Sequence, residues 1–130
     1  MATFRSFTEI DAWQKARVLT SEIYALSRSP MFSKDFGLRD QIRRASVSIM
    51  ANIAEGFGRS GSAAFQQYLA IAKGSTCEVL FHLYVCLDQG YLKDQEFARI
   101  NRLAEETANL IGGLMKYIAR TNLKGAKYVR

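Results

Sequence analysis

Leu38, Ile42, Ala45, Ile49, Ile53 and Phe57 follow one another at offsets of three or four. Apolar residues in that register line one face of a helix, whereas a half-buried strand needs strict alternation. The same period runs through three other segments, and no β-rich run interrupts it. The chain is therefore expected to be all-α, with helices over about residues 8–28, 38–58, 62–89 and 94–120. Short links after the second and third segments favour antiparallel neighbours, giving an up-and-down four-helix bundle over residues 1–120. Residues 121–130, "TNLKGAKYVR" from Thr121, carry no period and read as a flexible basic tail.

Each segment has its own stripe and stop. Thr8 is the expected N-cap of the first, with Asp11 three residues on. Ala12, Ala16, Leu19, Ile23 and Leu26 form its apolar face, and Pro30 ends it, since proline cannot continue a helix. Asp94 is the expected cap of the fourth, with Phe97 as its first core residue. Ile100, Leu103, Thr107, Leu110, Ile111, Leu114 and Ile118 then face inward, and Arg102, Glu105, Glu106 and Asn109 outward.

The stretch "NIAEGFGRSG", residues 52–61, matches G-x-G-x-x-G through Gly56, Gly58 and Gly61. A dinucleotide site needs a strand before those glycines, so that phosphates meet the first N–H groups of a helix. Here a helix enters them. They are expected to end one helix and turn into the next, with Ser62 as the following N-cap.

The third segment is apolar on two sides. Phe65, Leu69, Ala72, Thr76, Val79, Leu80, Leu83 and Leu87 share one face. Ala70, Gly74, Cys77, Phe81 and Val85 form a second stripe opposite. One bundle buries roughly one face of each helix, so a second apolar face asks for another partner. Small Ala70 and Gly74 would let a second backbone come close. Self-association through this stripe is the expectation.

At 130 residues the chain is the size of one domain. Its net charge of +6 is concentrated at one end: Lys116, Arg120, Lys124, Lys127 and Arg130 face no acid after residue 115. A basic end is a common electrostatic footprint for nucleic acid and also a common solubility device. No apolar run approaches the roughly 20 residues of a membrane span, and the N-terminus lacks a secretory core. Cys77 and Cys86 stand about 13 Å apart along a helix, too far for a disulfide. Both are expected reduced and buried, in a cytoplasmic protein.

Catalytic chemistry finds little to use. His82 is the single histidine, and it follows Glu78 by four residues rather than the three of di-iron bundles. No serine or cysteine has a recognisable base partner. The expectation is a non-enzyme that needs neither cofactor nor metal. Glu55 precedes Arg59 by four residues and Asp40 precedes Arg44 likewise, the favourable order for helical ion pairs. Ser48 and Asn52 share that polar face. Arg39 and Arg43 lie four apart at the margin of the apolar stripe, where like charges repel unless an anion or a partner's carboxylate intervenes. Arginine's planar donors suit phosphate, and its stem equally suits the rim of a core. Trp13, Arg17 and Tyr24 flank the first helix on one side, in positions open to base stacking or to rim packing.

The stretch "DQIRRASVSIMANIAEGFGRSGSAAFQQYLAIAKGSTCEV", residues 40–79, resembles the four-helix-bundle family of bacterial intervening-sequence proteins, encoded by insertions within large-subunit ribosomal RNA genes. "FTEIDAWQKARVL" (7–19) and "GYL" (90–92) are similar to the family's opening and its third turn. The resemblance implies a left-turning bundle assembled as a ring-like homopentamer. A related branch, the accessory proteins of diversity-generating retroelements, comprises basic pentamers that bind nucleic acid and partner a reverse transcriptase. Family motif positions here are Arg43, Asn52, Glu55, Gly56, Arg59, Gly74, Ser75 and Glu78, with no catalytic role implied. The expected function is nucleic-acid binding by an oligomer, with Arg39, Arg43, Arg44, Arg59, Lys116, Arg120, Lys124, Lys127 and Arg130 on phosphate. The alternative is a scaffold that docks another protein.

Overall fold

The computed structural model describes residues 4–121, which hold four long helices and, among the described residues, no strand. They are α1 (Asp11–Ser27), α2 (Phe36–Gly58), α3 (Ser62–Asp88) and α4 (Asp94–Thr121). Short 3-10 turns at Phe7–Glu9 and Phe32–Lys34 lead into α1 and α2. The tail basic residues Lys124, Lys127 and Arg130 lie outside the described residues.

Contacts between helices define a square antiparallel bundle in which each helix packs on its two sequence neighbours and α4 closes onto α1. Ser48 meets Ser75 while Gly56 meets Tyr68, so α2 and α3 run in opposite directions. Gln66 bonds Met115 and Tyr84 packs on Phe97, which sets α3 against α4 in the same way. Two surface ion pairs, Lys15–Glu106 at 3.5 Å and Arg99–Glu22 at 2.7 Å, span the α1–α4 seam. The core holds the expected stripes: Leu19, Ile23, Ile42, Ile49, Ile53, Phe65, Leu69, Leu83, Ile100 and Ile111 are fully buried.

Several helix boundaries differ from the expected ones for local reasons. Thr8 does not cap α1. It sits inside the first 3-10 turn, where its N–H and hydroxyl both donate to Ser6 Oγ. Burial of Ile10 then sets the start of α1 at Asp11. The Asp35 carboxylate accepts from Leu38 N, which begins α2 two residues before Leu38. Gly61, at φ +89°, takes the N-cap position assigned to Ser62, and glycine alone adopts that backbone without strain.

The two earlier glycines are not turn residues at all: Gly56 and Gly58 belong to α2. A Cβ at Gly56 would sit 2.6 Å from Tyr68 Cβ and 3.0 Å from Phe65 Cδ1. Gly56 is present because α2 and α3 touch there backbone to side chain. Within α3 the buried arc is wider than expected, since Ser75, bonded to Ser48 of α2, is buried and so are His82 and Cys86. By length and composition α3 could cross a membrane; its inner arc is packed in the bundle, as for a core helix.

The expectation of two buried cysteines is half wrong. Cys86 is buried and Cys77 exposed, because Cys77 belongs to the outer stripe. Burial, aided by the nearby Asp35 carboxylate, pushes the Cys86 thiol up to about 12, so it stays protonated and inert at neutral pH.

Candidate nucleic-acid interface

The candidate phosphate-binding side chains among the described residues divide between the two ends of the bundle. Arg39, Arg43 and Arg44 occupy the first half of α2. Arg59 stands about 22 Å further along that helix, near the end of α4 that carries exposed Lys116 and Arg120. They form two patches rather than one.

Arg39 is satisfied within its own chain. Its Nε lies 3.0 Å from Asp40 Oδ1, its Nη1 donates to the Ser33 carbonyl, and its guanidinium lies over the Phe36 ring. Asp40 therefore serves Arg39 instead of pairing with Arg44, contrary to the i,i+4 expectation. Exposed Arg44 has no carboxylate within salt-bridge distance among the described residues. Arg59 keeps its expected pair, with Glu55 Oε2 at 2.6 Å, and lies over Tyr68. The bond from Glu55 raises the Arg59 pKa further. Both groups are half exposed, so solvent screens the pair and it contributes little to stability.

Arg43 is held differently. Its Nε donates to Ser27 Oγ at 2.6 Å, and Ser27 is fully buried at the end of α1. Its guanidinium carbon lies 4.6 Å from the centre of the Tyr24 ring. On the same α1–α2 seam, Arg17 lies over Trp13 at 5.8 Å. A shallow groove of about 630 Å³ opens against Tyr24, Asp40, Arg43, Arg44, Ser48 and Asn52. Asn52 Nδ2 donates to the Ser48 carbonyl and hydroxyl, and Ser48 Oγ is hydrogen-bonded to Ser75 Oγ at 2.8 Å. The Ser48–Ser75 bond ties α2 to α3, and Asn52 braces Ser48 from within α2.

The five residues of the second α3 stripe, Ala70, Gly74, Cys77, Phe81 and Val85, are all exposed. Ile71, absent from the expected stripe, is exposed as well, at 52%, and Phe81 is exposed at 56%. His82 is buried behind Phe81, with Nε2 3.4 Å from Glu78 Oε2. The described residues bring together no group of three His, Cys, Asp or Glu placed to hold a metal. An apolar cleft of about 470 Å³ between α1 and α4 is lined by Phe4, Ile10, Leu110, Leu114 and Tyr117, with no lysine or arginine.

The sequence profile of the 23S rRNA-intervening sequence proteins matches residues 8–113, which span all of α1, α2 and α3 and most of α4. The chain belongs to that family. No curated protein matches it. A solved structure from Bacteroides thetaiotaomicron, described as a protein of unknown function from the S23 ribosomal protein family, has the same fold, with a TM-score of 0.75 at 24% identity. The match covers 81% of this chain and 95% of that one. Among the motif positions of this intervening-sequence protein, Gly56 has a packing role, Ser75 links α3 to Ser48 of α2, Asn52 braces Ser48 from within α2, and Glu55 serves Arg59. Sequence reasoning missed the aromatic undersides of the arginines. Phe36 and Tyr68 had gone unremarked, although the three-residue step from Phe36 to Arg39 was available as a signal.

Proposed function

We propose that this intervening-sequence protein is a non-enzymatic, cytoplasmic homo-oligomer that binds structured nucleic acid through its basic surface. The observation that carries the reading is the exposed apolar flank of α3. Ile71, Phe81, Tyr84 and Val85 are 52%, 56%, 55% and 38% exposed on a helix whose other flank is core. Large apolar side chains exposed along one flank of a helix mark an interaction site. A closed ring, five-membered as the family resemblance implies, would repeat each chain's +6 around one axis. Such a field draws in phosphate without reading sequence, and 23S ribosomal RNA is the candidate the family name supplies.

The test starts from protein stripped of nucleic acid by nuclease and high salt. Its affinity for a 23S ribosomal RNA fragment should fall linearly with salt on a log–log plot, with a slope near −0.9 per phosphate neutralised on a duplex. Failure to bind at low salt rejects the reading. Assembly has its own readout in Cys77, which lies on the proposed contact face. A thiol reagent should modify Cys77 quickly in dilute monomer and slowly at concentrations where the particle is assembled, leaving Cys86 untouched in both.

The same α3 face supports a second reading, a scaffold or accessory subunit that docks a different protein, for example a reverse transcriptase. A 14.6 kDa species at micromolar concentration, measured by light scattering, would favour it.

A further inference from the structure

We infer that the α1–α2 seam is a stacking site for unpaired nucleotides, with Arg43 on Tyr24 as its main platform, Arg17 on Trp13 as a second, and Arg44 on phosphate. This rests on the nucleic-acid reading and deepens it by naming the part of the nucleic acid that is taken.

The geometry of Arg43 supports a planar ligand. One donor is spent on buried Ser27, which fixes the side chain at its Nε, and one face of the guanidinium lies on Tyr24. Its remaining N–H groups have no acceptor among the described residues, and the groove opens against it. A guanidinium anchored in this way presents its other face as a flat cationic surface, on which a nucleobase stacks. Bases inside a duplex are already stacked on one another, so the site suits loops, bulges and single strands. Arg17 stands seven residues before Tyr24 on α1, about 10 Å along the same seam, within reach of the same strand. Arg44 is exposed, adjoins Arg43 in the groove and has no carboxylate within salt-bridge distance among the described residues, since Asp40, which also lines the groove, is paired with Arg39; this fits Arg44 for the backbone phosphate.

Arg39 and Arg59 do not have this freedom. Each lies over an aromatic ring, but its guanidinium already serves a carboxylate, Asp40 or Glu55. At the other basic end of the bundle, with Lys116 and Arg120, the arginine–aromatic contact is Arg59 over Tyr68, and that guanidinium's charge is already met by Glu55.

The experiment uses the full chain, freed of nucleic acid, with two labelled probes of equal length: an unstructured polyuridylate and a duplex RNA. Arg43→Lys keeps the charge and removes the plane. It should weaken polyuridylate binding about tenfold, the worth of one stacked base, while duplex affinity and salt slope stay unchanged. Arg44→Gln should instead lower the magnitude of the salt slope by about 1 on both probes. Trp13 is the single tryptophan, so polyuridylate should quench the protein's indole fluorescence and duplex should not. If Arg43→Lys unfolds the chain, Arg17→Lys at the exposed platform is read the same way, with a smaller polyuridylate-specific loss. Wild-type affinities in the lysine variants, or equal losses on both probes, would overturn the stacking site while leaving the general binding intact. Absence of binding by the wild-type chain to either probe would reject the broader reading as well. Polydeoxythymidylate in place of polyuridylate separates a demand for RNA from a demand for any unpaired strand.

Discussion

Phe81→Asp is expected to convert the native particle into 14.6 kDa monomers while leaving the helix content and thermal midpoint of each chain nearly unchanged. The ring is 56% exposed in the single chain, so its loss there falls within the roughly 0.5 kcal/mol typical of surface changes. In an assembled particle the same substitution forfeits about 2 kcal/mol of apolar burial. It also places an unpaired carboxylate in a dry contact, at a further cost of several kcal/mol. About 4 kcal/mol already weakens association near a thousandfold. Gly74→Leu tests the same contact by shape. Nothing lies within 4 Å of a Cβ built at Gly74, so the monomer accommodates the leucine, but a closely approaching second backbone does not. Light scattering across a concentration series reads both variants. Unchanged particle mass in the two would remove α3 from the interface.

Gly56→Ala should destabilise the fold even though alanine is the better helix former. Alanine gains about 1 kcal/mol in the helix interior. The added methyl would stand 2.6 Å from Tyr68 Cβ, which is itself anchored to a helix backbone and cannot swing away. Relief requires α2 and α3 to separate, and overpacking of this kind costs about 1–3 kcal/mol or more. Gly56→Leu should cost more still. Gly113→Ala is the control: it lies within α4, has open space around its Cβ position, and should gain up to about 1 kcal/mol. Denaturant midpoints of the three variants distinguish a packing glycine from a merely permissive one. Equal gains at both positions would refute the close contact.

The α2–α3 junction shows how far local pattern can be read. Recognising that a helix enters "EGFG" disposed of the dinucleotide fingerprint, because periodicity is a property of neighbours in sequence. Of the three glycines expected to end one helix and turn into the next, Gly58 does end α2 and Gly61 does form the turn, but Gly56 does neither. The need for Gly56 comes from Tyr68, on the next helix, and depends on the depth to which α2 and α3 pack. Asp40 illustrates the same limit at shorter range. Helical spacing favoured Arg44, but the adjacent Arg39 side chain takes the carboxylate instead.

The α3 flank was legible for a related reason. A helix apolar around most of its circumference betrays itself at 100° per residue, whatever its surroundings. Ile71 was overlooked because it falls beside the stripe rather than on it. His82 and Cys86 were left out of the buried face because the bundle covers a broader arc of α3 than a narrow stripe suggests.

By itself, the order of residues determined the number and extent of the helices, the two-sided character of α3, and the family to which the chain belongs. All three are carried by spacings of a few residues or by contiguous motifs. Only tertiary structure decided that Arg43 is pinned by Ser27 over Tyr24, and that the candidate phosphate-binding residues separate into two ends. Those relations join positions on different helices, and they are set by crossing register and packing depth, which no periodicity within a single helix encodes.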